Sequence, residues 1–195
     1  MSRETVRHKP TREQLVAAYG KTIRDVIASD LRILFIGINP GLYSAAVGHH
    51  FARPGNRFWP ALCGAGFTDR LLAPAEERQL LDRGYGITNL VDRATAQAAE
   101  LTEKDFSSGV KRLEKKVVRF RPRCVAFLGI SSYQAAVDRS ATAVGPQKAR
   151  FGGARVWLLP NPSGLNAHYQ IPALIRLFRD LRLRMDKPRR KPKPS

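Results

Sequence analysis

Cysteine is nearly absent from this chain. Cys63 and Cys124 are the only two, far apart and each inside an apolar stretch. They have no metal-ligand spacing and cannot supply the four thiolates an iron–sulfur cluster needs, so both read as small buried hydrophobes. Long apolar runs are also missing. None approaches the ~20 residues of a membrane span, and no secretory segment opens the chain, so a cytoplasmic protein is expected. Nucleotide-loop signatures are absent after the first predicted strand, with neither GxxxxGK[ST] nor GxGxxG in place. No nucleophile elbow or Ser-His-Asp order occurs. His49 and His50 are adjacent but lack a third partner at useful spacing, and no metal is expected.

Acid is the other scarcity. Against 34 Lys+Arg stand only 16 Asp+Glu, a formal net charge of +18 over 195 residues. Residues 1–12 account for +3 of it and the tail "KPRRKPKPS" for +5, which leaves +10 on the body. The charge is therefore not merely an appended tail. Such a field favours a polyanionic partner, because neutralised phosphates release their counterions.

Residues 1–10 read as a flexible basic arm, 11–186 as one domain, and 187–195 as a basic, Pro-rich tail. Thr11-Arg12-Glu13-Gln14 is a capping-box pattern opening an amphipathic stretch to about Ala28, with Leu15, Ala18, Tyr19, Ile23, Val26 and Ile27 on one side. "LRILFIGI" (31–38), "GITNLV" (86–91), "CVAFLG" (124–129) and "ARVWLLP" (154–160) read as strands buried on both faces. Between them come helical stretches: one opened by Asn56, one framed by Pro74 and Gly84, "GVKRLEKKVVRFRP" halted before Pro122, and one capped by Ser131. A final helix spans about Gln170 to Met185. This alternation predicts an α/β fold, a three-layer αβα sandwich around a short, mostly parallel sheet of four to five strands. Sites in such folds lie outside the carboxyl ends of the strands. That rim would hold Asn39-Pro40-Gly41, Asp92, the turn after residue 128, and Asn161 to His168.

Two of those turns are Asn-Pro turns. Asn39 is an ordinary turn residue, or else an amide presented to hold a water by donating and accepting. Phe51 lies in a polar loop, where it either tucks into the core or offers a face for stacking a base. Leu165 sits among small and polar neighbours in "NPSGLNAH". It either folds back onto the protein or acts as an apolar wedge between base steps, with Gly164 allowing close backbone approach. Asp92 is a salt-bridge partner of Arg93 or a carboxylate that activates water.

"GINPGL" and "NPSGL", with "HFARPGNRFW" and "GITNLVDR" between them, closely resemble the mismatch-specific uracil-DNA glycosylase family, a branch of the uracil-DNA glycosylase superfamily related to thymine-DNA glycosylases. The resemblance covers roughly residues 31–180. It implies that Asn39 positions a water, Phe51 stacks on the base, Ile38 and Gly41 line the base pocket, and Ser163-Gly164-Leu165 form the intercalation loop. Leu165 would be the wedge and Gly164 would face the widowed guanine. Two positions depart from the family. Asn166-Ala167-His168 stand where a basic residue is usual after the wedge, and Asn89 stands where close relatives often carry lysine. The implied function is flipping of uracil, preferably opposite guanine, out of double-stranded DNA and hydrolysis of its N-glycosidic bond to leave an abasic site. Neither Asn-Pro motif contains a lysine that could form a Schiff base, and the expected enzyme is a monofunctional monomer without cofactor, nucleoid-associated when on DNA. The rival expectations are a non-catalytic basic nucleic-acid-binding protein and a small-molecule nucleoside hydrolase.

Overall fold

Successive residues of Ile33–Gly37 point to opposite faces of a sheet, and both faces are covered. Ile33 and Phe35 join one apolar cluster while Leu34 and Ile36 join another. The computed structural model, which describes residues 9–186, builds around this strand. Five strands, β1 (Ile33–Gly37), β2 (Tyr85–Asn89), β3 (Cys124–Leu128), β4 (Gly145–Phe151) and β5 (Ala154–Leu159), form one sheet in the order β2-β1-β3-β5-β4. All pairs are parallel except the antiparallel β4–β5 hairpin at the edge. Helices α3 (Phe58–Gly64) and α6 (Ile171–Asp186) cover the Phe35 face, while α4 (Glu103–Phe120) packs on the Leu34 face, near α5 (Ile130–Ala136). The expected three-layer α/β architecture is what the chain adopts.

Several local expectations need correction. Helix α1 (Arg12–Val16) closes its Thr11–Gln14 capping box but runs one turn only. Gly20 turns the chain at φ +74°, and Val26 instead exchanges backbone hydrogen bonds with Ile87 at 2.9 and 2.8 Å, shielding the exposed edge of β2. Strand β4 is a fifth strand beyond the four read from the sequence, lying between the helix near Ser131 and the strand at 154–160. "GPQKARF" shows no apolar run because, as an edge strand, it leaves alternate positions to solvent. Helix α4 begins at Glu103, six residues early, because Thr102 and Asp105 make a reciprocal cap in which aspartate replaces the usual glutamate. The segment Pro74–Arg83 is a 3₁₀ helix, ended by Gly84 at φ +77°. Ser131 lies inside the first turn of α5, whose cap is Gly129. Asn56 precedes the cap position of α3, yet its Oδ1 accepts from the Phe58 N–H at 2.9 Å. Residues 1–8 of the expected arm and the tail 187–195 lie outside the described residues.

Phe35 organises the layer beneath the site. Its ring packs edge-on to Phe58 and Phe67 at 5.5 Å each and stacks with Phe178 at 5.9 Å. Such pairs contribute about 0.5–1.5 kcal/mol each beyond their buried area. Short helix α2 (Leu42–Val47) follows β1 directly and carries the chain across the rim to the loop that holds Phe51.

Candidate active site

The parallel register sets Gly37 beside Asn89, so the turn after β1 and the end of β2 share one rim. Backbone bonds continue the pairing past the strands: Leu90 N–H donates to the Gly37 carbonyl and Val91 N–H to that of Ile38, both at 2.8 Å. Asn39 follows immediately. Its Nδ2 donates to the Arg93 carbonyl at 3.1 Å and to Thr95 Oγ1 at 2.7 Å. The Thr95 hydroxyl spends its own hydrogen on the Gln97 carbonyl at 2.8 Å, so toward Asn39 it only accepts. Both partners are therefore acceptors. The amide orientation is fixed chemically, with both Asn39 N–H groups engaged and Oδ1 turned away from them.

The partner carbonyl is itself anchored. Arg93 makes two bonds to the Asp105 carboxylate, at 2.8 and 2.7 Å, and a third to the Glu100 carbonyl. The guanidinium, together with the Thr102 cap, holds the Asp105 carboxyl well below the usual carboxylate range.

Asp92, one residue away, points elsewhere. Its carboxylate accepts from Arg112 Nε at 3.0 Å and lies 3.5 Å from Lys116 Nζ, both on α4, and Lys116 also pairs with Asp25 at 2.7 Å.

Among the described residues Phe51 is one of three non-glycine residues with positive φ, at +52°. A bulky side chain there costs about 1–3 kcal/mol and persists only where the surroundings over-determine it. They do. Glu77 accepts from the His50 N–H at 2.8 Å, Trp59 Nε1 donates to the His50 carbonyl at 3.2 Å, and Ala52 N–H donates to Ser44 Oγ at 3.1 Å. The Phe51 ring lies on Phe58 with centroids 4.1 Å apart and planes 28° from parallel. Its edge faces Gly37, where an added Cβ would lie 3.4 Å from the ring and 2.5 Å from Asn89 Oδ1. Gly37 thus lets the Asn89 amide oxygen and the Phe51 ring edge come close to the strand backbone.

Asn89 is buried, and its Nδ2 lies 3.5 Å from His50 Nδ1. His50 Nε2 sits 3.2 Å from the Arg24 carbonyl, an obligate acceptor, so Nε2 carries the proton and Nδ1 accepts. Burial holds the imidazole below its ordinary value, against the pull of Glu77. The neutral ring therefore orients the Asn89 amide, with nitrogen toward His50 and oxygen toward Gly37. A depressed folded value means the unfolded chain takes up the proton first as pH falls below about 6.5. Stability from this group is complete above that pH and is lost as pH falls toward the folded value. Urea unfolding at pH 7.5 and 5.5 should show a smaller loss in His50→Gln than in the wild type. Equal losses would contradict the neutral assignment.

The second Asn-Pro turn builds the other wall. Leu165 is 78% exposed and makes no core contact, so it does not fold back. Three self-bonds shape its loop: Ser163 N–H to Asn161 Oδ1, Leu165 N–H to Ser163 Oγ, and Asn166 Nδ2 to the Asn161 carbonyl. Arg57 clamps it from below, donating to the carbonyls of Asn166 and Tyr169 at 2.8 Å and of Gly164 at 3.0 Å. A Cβ on Gly164 would lie 2.5 Å from the Gly55 carbonyl oxygen, so this loop packs backbone to backbone on 53–57. Ile38 lies near Gly129 and Asn161 on the same rim, and Gly41 caps α2 and is bridged to Thr95.

The structure brings Ile38, Asn39, Phe51 and Asn89 to one rim, and holds the Ser163–Asn166 loop beside the 53–57 segment. Asp92 is ion-paired to α4. Sequence reasoning missed Gly37, His50, Thr95, Arg57 and the Arg93–Asp105 pair. Gly37 was readable as the one break in the apolar run, whereas the others act through partners 9 to 112 residues distant.

The fold resembles that of a candidate uracil DNA glycosylase from Methanosarcina acetivorans, solved in solution by NMR, with a TM-score of 0.55 at 20% identity over 84% of this chain and 98% of that one. The family model for the uracil DNA glycosylase superfamily matches residues 24–182, which takes in both Asn-Pro turns, the Phe51 loop and every strand. With that match over most of its length, the chain belongs to the uracil DNA glycosylase superfamily.

Proposed function

We propose that this protein is a monofunctional DNA glycosylase. It flips uracil, preferentially opposite guanine, out of duplex DNA and hydrolyses the N-glycosidic bond to leave an abasic site. The observation that carries the reading is the Asn39 amide. With both N–H groups held by Arg93 and Thr95, Oδ1 is left to accept a hydrogen bond from a water and aim it at the sugar C1′. An amide cannot take the proton as a carboxylate would, so the water attacks late, as the base departs. An enzyme working this way is slow, because a general base contributes typically ~10²–10⁴-fold.

The convergence of Phe51 and Asn89 over Gly37 supports a base-binding site there. A flipped ring would lie against the Phe51 face not covered by Phe58. The Asn89 amide offers an acceptor to the N3–H of uracil and, through its second N–H, a donor to O4. Cytosine presents the reverse pattern at those two atoms. With Asn89 held by neutral His50, the reading excludes it. Ile38 and Gly41 complete the wall. Flipping costs a few kcal/mol and least at a mismatch, which supports the preference for G·U over A·U. Leu165 would fill the vacated space, with Ser163, Gly164 and Asn166 shaping the approach to the opposite guanine.

Asp92 was the alternative water activator. Its ion pairs with Arg112 and Lys116 favour a structural role. Asp92→Asn should leave single-turnover excision within about twofold of the wild type and lower stability by no more than ~1 kcal/mol, the usual range for exposed pairs. A hundredfold loss of excision would return Asp92 to the chemistry. The monofunctional assignment rests on the absence of a lysine from either Asn-Pro motif. Borohydride should therefore trap no covalent complex, and nicks should appear only after alkali. Trapping would overturn it. The protein is read as a cytoplasmic monomer working on nucleoid DNA, and among the described residues no helix is long and apolar enough to cross a membrane. A purely DNA-binding protein remains the competing reading; it would bind G·U duplex and release no uracil.

A further inference from the structure

Every strand of the sheet carries an arginine at the pole opposite the proposed active rim. Arg32 precedes β1, Arg83 lies two residues before β2, Arg123 precedes β3, and Arg155 stands near the start of β5. Antiparallel β4 brings Arg150, near its own end, into register with Arg155. Backbone bonds align the row: Arg32 N–H to the Gly84 carbonyl, Arg123 N–H to that of Leu31, and Arg155 N–H to that of Arg123. Neighbouring strands are about 4.8 Å apart, so five of them spread this row over roughly 19 Å. Arg83 and Arg32 pair with Asp69 and Asp186. Arg123, Arg150 and Arg155 are exposed, and no described carboxylate lies within ion-pair reach of them. Arg119 and Arg121, at the end of α4, add two exposed cations beside Arg123. Asp186, where α6 ends, is tied to this row by Arg32 at 2.8 Å, and the next nine residues in sequence include five basic ones.

We propose that this arginine row is a second DNA-binding site, holding a duplex segment other than the one being read. A line of cations at strand spacing suits a linear polyanion whose charges recur along its length, and leaving three of them unpaired keeps them free to displace counterions. The two sites lie at opposite ends of the strands, so one molecule can hold two segments at once and pass between them. The inference rests on the glycosylase reading only in taking the other pole as the DNA-reading one.

The test compares full-length wild type with the triple variant Arg123→Gln, Arg150→Gln, Arg155→Gln, whose exposed positions leave the core intact. Sedimentation with saturating 12-base-pair G·U duplex gives the stoichiometry, and alkali-cleaved product gives excision. The expected result is two duplexes per wild-type chain and one per variant, with unchanged single-turnover excision. Dissociation of wild type from labelled duplex should also accelerate with unlabelled duplex, and the variant's should not. One duplex on both proteins with equal excision would overturn the second site and leave the glycosylase standing. One duplex on the wild type, none on the variant and no abasic product would sink the glycosylase and keep the arginine row. If polyglutamate accelerates wild-type dissociation while duplex DNA does not, the row serves an acidic protein and the proposal falls.

Discussion

Asn39→Ala should lower single-turnover excision of uracil from a G·U duplex by ~10²-fold or more, the loss that misplacing a reactant by about 1 Å can cause. Binding of the same duplex should change little, because the role proposed for Asn39 is at the reacting centre and not at the wedge. The local geometry sharpens the expectation. Asn39→Asp would supply a carboxylate, a group that acts as a base in other sites. Here the oxygen replacing Nδ2 would face the Arg93 carbonyl and a Thr95 hydroxyl committed to Gln97, with no hydrogen to share, and the carboxylate would not be held as the amide is. It should be as inactive as alanine. Thr95→Val removes one of the two acceptors that fix the amide. Losing a hydrogen bond of about 1 kcal/mol should cost roughly fivefold in rate while leaving duplex affinity unchanged. Full activity in Asn39→Asp, or none lost in Thr95→Val, would show that amide orientation does not matter.

Arg57→Met should weaken binding to G·U duplex by about 10–100-fold, since a charge-assisted hydrogen bond contributes ~1.5–3 kcal/mol. Arg57 never reaches DNA in this account. Its guanidinium holds three carbonyls of the wedge loop, and without it Leu165 is no longer presented in one place. Gly164→Ala should act alike by a different route, because its Cβ collides with the Gly55 carbonyl oxygen, a backbone atom that cannot swing aside. Both variants should keep the melting temperature within a few degrees, because the loop is peripheral to the aromatic core. A steeply lowered melting temperature, or affinity unchanged in both, would contradict the assignment of the loop.

The sheet was legible because fully buried parallel strands leave continuous apolar runs, as in "ILFI" and "CVAFL". The edges were not. Strand β4 has one face in solvent, and Val26 pairs as a single bridge inside what reads as a helical stretch. Residues that present themselves at strand ends, Asn39, Asn89 and Leu165, could be singled out one at a time. What holds them could not. Thr95 orients Asn39 through one hydroxyl, His50 orients Asn89 through one tautomer, and Arg57 reaches residues 107 to 112 positions away. Spacing carries no trace of such contacts. Asp92 shows the converse: its place at a strand end is legible, but its ion pairs to α4 lie on a face the sequence could not orient.

The most direct measurement incubates the wild-type protein with labelled duplexes carrying G·U, A·U and G·T, and with single-stranded U, then cleaves abasic sites with hot alkali. Asn39→Ala runs beside it. Abasic product is expected from the G·U duplex, with less from A·U and its loss in Asn39→Ala. Tight binding of G·U duplex with no abasic product from any substrate would contradict the glycosylase reading.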